Sequence, residues 1–79
     1  MIKLSIHTEK RVIERGIARA WIDATVLTPD WTAADADPAL TRSYRAIAEF
    51  GGRVLRVVHR PDGSDILVVT AHFDRSAKR

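Results

Sequence analysis

The sequence predicts an α+β domain, with two N-terminal helices packed on one face of a three- to four-stranded antiparallel sheet. Three observations carry this. Up to Thr28 the large apolar residues recur at helical spacing, and from Thr41 onward the period changes to two. Gly51-Gly52 and Pro61-Asp62-Gly63 then divide the second half into strand-length runs. With 79 residues there is room for one domain, residues 1–79, and a thin core.

Residues Lys3 to Ile6 form a lead-in or short edge strand, and Ser5 or Thr8 is the expected N-cap of the first helix. Stepping about 100° per residue groups Ile6, Ile13 and Ile17, flanked by Val12 and Gly16, as the predicted core face. His7, Arg11, Glu14 and Arg15 fall on the other side, as a basic stripe. Gly16 stops the helix, because a residue without Cβ takes positive φ at little cost. From Ala18 to about Thr28, Trp21, Ala24, Leu27 and Thr28 recur at helical spacing, widened by Ile22 and Val26, until Pro29 ends the run. Ala18 offers no capping side chain.

Asp30 to Leu40 reads as an irregular connection with room for one short strand, and Trp31 as its large core anchor. The strands Thr41–Phe50, Arg53–Arg60 and Asp65–Asp74 then form a meander. A two-residue Gly51-Gly52 loop pairs Tyr44 with His59 and Ala46 with Val57; a type I turn pairs Arg60 with Ser64, hence Val57 with Leu67. The helix-facing side is then Tyr44, Ala46, Ala48, Leu55, Val57, Leu67, Val69, Ala71 and Phe73. Ser43, Arg45, Ile47, Glu49, Val54, Arg56, Val58, Ile66, Val68, Thr70 and His72 lie on the open face.

Charge is uneven. Of the 13 Lys and Arg, ten are Arg, and none lies between Arg19 and Arg42, where four aspartates stand. The planar guanidinium binds phosphate bidentately, so a polyanion is the expected partner. The absence of cysteine removes disulfides and thiolate chemistry and suits a reducing cytoplasm. No long apolar run marks a signal peptide or membrane span, so no membrane partner is expected.

His7, Arg11 and Glu14-Arg15-Gly16-Ile17, the Thr28-Pro29 stop, Tyr44, the run Gly52 to Val58, and Leu67 to His72 resemble the domain-of-unknown-function family 4258, related to BrnT-type toxins. The resemblance implies a helix-helix-sheet domain similar to the RelE, barnase and colicin type of ribonuclease fold. It also implies a toxin paired with an antitoxin protein, with RNA as the target. Ala18 departs from the pattern, since relatives commonly carry a capping residue there.

Metal-free RNA cleavage needs a base, an acid and fixed cations around phosphorus. His72 on the open face, with Thr70 and Arg56, is the first candidate for proton transfer, shared with His7; a strand-end histidine without a role is the plain alternative. His7, Arg11 and Arg15, four residues apart, share a helix face as a phosphate cradle or simply a solvated face. Arg45 and Arg56, on adjacent strands, complete the phosphate-binding set, unless Arg56 serves only a diagonal salt bridge to Glu49. His59 reads as a packed histidine. His7, His59 and His72 lack the ligand spacing of a zinc site, so neither metal nor other cofactor is expected. The expected activity is a metal-independent ribonuclease toxin; the alternative is a non-catalytic module binding nucleic acid or protein through the same basic surface.

Overall fold

The computed structural model describes residues 1–78. The order of elements is β1 (Ile2–Leu4), α1 (Ile6–Glu14), α2 (Arg19–Leu27), β2 (Trp31–Ala34), β3 (Thr41–Ile47), a 3-10 turn (Ala48–Phe50), β4 (Arg53–Asp62) and β5 (Asp65–Phe73). Ser5 caps α1, its Oγ accepting from the Thr8 amide at 3.2 Å. At the other end Gly16 takes φ +66°, which lets the Gly16 amide donate to Ile13 and the Ile17 amide to Val12. That paired closure satisfies carbonyls the helix would leave bare and turns Ile17 back onto Val12. α2 begins at Ala18 with no side-chain cap, and Arg45 closes its far end by donating from Nη1 to the Thr28 carbonyl at 2.5 Å.

The sheet has five strands in the order β1-β5-β4-β3-β2, and it is mixed. The α+β class and the two helices agree with the sequence reading, but the strand count and the all-antiparallel character do not. The lead-in is a true strand, parallel to β5, with Ile2 opposite Ile66 and Leu4 opposite Val68. The connection after Pro29 holds the other extra strand, β2, antiparallel to β3.

Register also differs from expectation. Ile47 opposite Arg53 is the last β3–β4 pair, and residues 48–52 form the connection, through the 3-10 turn and the positive-φ pair Gly51-Gly52. Tyr44 therefore faces Arg56 instead of His59. A slip of three residues is odd, so it exchanges the two faces of β3. Ser43, Arg45 and Ile47 turn to the helix side, and Tyr44 and Ala46 turn to the open side. Between β4 and β5 the loop is Gly63-Ser64, closing on the pair Asp62 and Asp65, and an irregularity at Val58/His59 leaves Val69 without a partner in β4. Downstream of that bulge Ala71 and Phe73 keep the predicted helix-facing side; upstream of it Val68 replaces Val69 in the core.

The core joins Val12, Ile17 and Ile22 of the helical half to Ile47, Leu55, Val57, Val68 and Ala71, so both helices serve one sheet face. Trp21 anchors its border as expected, its ring 5.5 Å from Phe50 and 6.1 Å from Phe73. The predicted core face of α1 holds only in part: Val12 and Ile17 join the core, but Ile6 and Ile13 do not. Ile6 and Ile13 are 87% and 79% exposed, whereas Thr8 and Val12 are buried. The cause lies in β5. Its outer edge is paired by β1 only over Ile66–Val68, and beyond that α1 lies along it. Bare edge carbonyls need donors, and α1 supplies them from Thr8 Oγ1 to Val69 (2.9 Å) and from Arg15 Nη1 to Ala71 (2.9 Å). No helix among the described residues is long and apolar enough to cross a membrane.

Candidate nucleic-acid interface

Because α1 runs along the β5 edge, its basic residues stand beside the strand that carries His72. His7, Arg11 and Arg15 line one wall of a groove of about 110 Å³, and Val69, Thr70 and Ala71 line the other. Arg15 is held in place by its bond to the Ala71 carbonyl, while His7 and Arg11 are exposed at the rim.

On the open face, register aligns one residue from each of four strands. Trp31 pairs with Tyr44, Tyr44 with Arg56, and Arg56 with His72. Successive strands lie about 4.8 Å apart, so this row spans about 14 Å across the sheet. At one end the Trp31 and Tyr44 rings stack, centroids 4.9 Å apart and planes within 6°. Next to them Arg56 is mostly covered: its Nη1 is 3.6 Å from Asp74 Oδ2, and its buried Nε has no hydrogen-bond partner. A buried donor left without an acceptor costs about 1–3 kcal/mol, so this guanidinium is poised to receive one. Asp74 is fixed by bonds from the Ser76 amide (2.9 Å) and hydroxyl (2.8 Å), which are the main reason its carboxyl titrates below the usual range.

His72 closes the row. Burial pushes its imidazole below the ordinary value, the charges of Arg56 and then Arg15 push it further, and Asp74 pulls the other way. The ring is therefore neutral at neutral pH, the form that accepts a proton. Thr70 and Ala71, which line the α1 groove, directly precede His72 in β5, and Arg15 bonds to the Ala71 carbonyl, so the groove and the open-face row adjoin. A neutral imidazole beside guanidiniums is able to take a proton from a hydroxyl while they hold the anion that results.

Of the predicted set, the structure pairs His72 with Arg56 on the open face and gathers His7, Arg11 and Arg15 in the groove beside the β5 residues that precede His72. It removes Arg45. That residue pairs with Leu55 and faces the helix side, where it serves the α2 terminus and lies 3.9 Å from Asp30. Its predicted place on the open face fails because the loop at residues 48–52 is longer than a two-residue turn. Glu49 sits in that 3-10 turn, and the acid paired with Arg56 is Asp74. His59 is packed on the helix side, Nε2 at 2.7 Å from Ser43 Oγ, with burial lowering its titration. Among the described residues no group of three or more His, Asp or Glu gathers as a metal ion requires.

Sequence reasoning missed Asp74 and misassigned Trp31, which stacks on the open face instead of anchoring the core. The available signal was the run Trp31-Thr-Ala-Ala just after Pro29-Asp30, a strand start whose small residues leave the indole prominent. Arg42, also on the open face, is neutralised by Asp35 at 2.7 Å and is a structural pair.

No curated protein and no solved structure matches the chain. Residues 4–73 do match a family model, and that span runs from the end of β1 to the end of β5 and contains the whole groove and row. The chain thus belongs to the family described as Domain of unknown function (DUF4258).

Proposed function

We propose that this protein is a metal-independent ribonuclease of the BrnT- and RelE-like toxin type, held in check by an antitoxin that covers its basic groove. One observation supports the reading above others: His72, kept neutral, stands opposite Arg56 on the open face and directly follows Thr70 and Ala71, which line the α1 groove beside Arg15. In this reading His72 takes the proton of an RNA 2′-hydroxyl, and that oxygen bonds to phosphorus. The bond from phosphorus to the 5′-oxygen breaks, and His7 gives that oxygen its proton. Products are a 2′,3′-cyclic phosphate and a 5′-hydroxyl. Arg56 and Arg15, with Arg11 at the rim, hold the added charge on the phosphate oxygens.

The test is incubation of purified protein with end-labelled RNA in excess chelator, with and without ribosomes, beside a folded His72→Ala variant. Cleavage should persist without metal, and His72→Ala should lose about 10²- to 10⁴-fold in rate. RNA that stays intact under both conditions would sink the reading.

The unpartnered Nε of Arg56 equally suits a second reading, a non-catalytic RNA-binding module, since it calls for an acceptor and not for chemistry. Binding would then weaken steeply with salt while no product forms.

A further inference from the structure

The row across the open face has an end that phosphate chemistry does not use. Tyr44 is buried and one face of its ring is taken by Trp31. Trp31 belongs to β2, the edge strand, so no strand lies beyond it, and Tyr44 is its one ring neighbour among the described residues. Along the strands the neighbouring open-face positions Ala33 and Ala46 are both exposed and both small; the one long neighbour, Arg42, stands opposite Ala33 and is held by its bond to Asp35. The side toward β5 carries Arg56 and His72.

The geometry points to a nucleobase subsite on Trp31: a single-stranded RNA with a phosphate at Arg56 and His72 lays a base of an adjoining nucleotide against the indole, with Tyr44 as backing. This rests on the reading that RNA occupies the groove, and it names the strandedness of the substrate. A base can reach an aromatic ring only when it is unpaired, and stacking tolerates any base because every base has a π-face. A guanidinium beside an aromatic ridge is the pairing that tracks a sugar-phosphate chain while its bases stack. Duplex RNA offers no free base for the ridge. The subsite therefore selects single strands and is indifferent to sequence.

Binding is measured by fluorescence anisotropy with a short labelled single-stranded RNA, using His72→Ala protein as parent so that no cleavage intervenes. Adding Trp31→Ala should weaken binding about ten- to a hundredfold, and adding Trp31→Phe, which keeps a ring, should restore most of it. Independently of any further variant, an oligonucleotide of the same length lacking its bases should bind the parent more weakly by a similar factor and lose nothing further with Trp31→Ala. The subsite is overturned if Trp31→Ala, or removal of the bases where Trp31→Ala does not fold, leaves affinity unchanged. Should Arg56→Ala weaken binding in that case, the groove reading survives and only the subsite fails. If the parent binds no RNA at all, both fall together.

Discussion

His72 shows how one residue's role follows from its neighbours. Its titration is lowered by burial and by Arg56 and Arg15, and Asp74 alone among the contributing charges raises it. Nuclear magnetic resonance titration of the ring should therefore give a midpoint below the ordinary 6.5. Asp74→Asn should move that midpoint lower still, and Arg56→Met should move it up. A midpoint that stays put in Asp74→Asn would remove Asp74 from the site. As a proton acceptor His72 has to be neutral, so a rate limited by it should rise with pH and level off before neutrality. The position of His72 on the open face was legible because alternation along β5 holds from Ala71 to Phe73 whatever the register with β4. Arg45 was not, since its face depends on how many residues form the turn after Ile47.

The helices illustrate the same division within an element. The end of α1 could be read from Gly16, and its start narrowed to Ser5 or Thr8, of which Ser5 is the cap, because capping is local. The face that α1 buries could be read only in part, through Val12 and Ile17. Periodicity favours Ile6 and Ile13, but the neighbour of α1 is an edge with bare carbonyls, and Thr8 and Arg15 answer it. In α2 the missing cap leads to a prediction. Ala18 has extended backbone angles (φ −71°, ψ 138°) and is exposed, so a serine fits there without strain. Ala18→Ser should stabilise the protein by about 1 kcal/mol, which for a domain of this size raises the melting midpoint by about 4–8 °C. No rise on thermal melting would show that α2 is held by packing alone.

Over the whole molecule the shifted groups set a pH window for stability. His59 and His72 titrate lower in the native protein than their ordinary 6.5, so the unfolded chain binds more protons as pH falls through that value, and stability declines. Asp35, Asp62, Asp65 and Asp74 are lowered from 3.8 by their partners, so a second decline follows below that pH. Lys3 is raised from 10.5, chiefly by its bond to Asp62, and its contribution is lost at the alkaline end. Denaturant unfolding across pH should thus show a plateau between about 6.5 and 10.5 and loss on either side. A curve flat from pH 7 to 5 would mean that the two histidines are not desolvated. Two ion pairs tie the sheet's parallel edge: Lys3 to Asp62 at 2.7 Å, and the N-terminal amine to Asp65 at 3.0 Å.

The α+β class, the two helices, the three long strands and the basic character follow from periods, caps and turns that act over a few residues, so they are present in the sequence before any long-range contact forms. Strand register, the partner of β1 and the face that α1 buries depend on loop length and on which backbone groups remain unpaired, and those quantities exist only once the sheet is assembled. The candidate site belongs to the second kind. Trp31, Tyr44, Arg56 and His72 come from four strands and Arg15 from a helix, and no spacing in the sequence relates them. Pairing across the sheet set them in one row, and the need to satisfy the β5 edge brought α1 and its cations alongside.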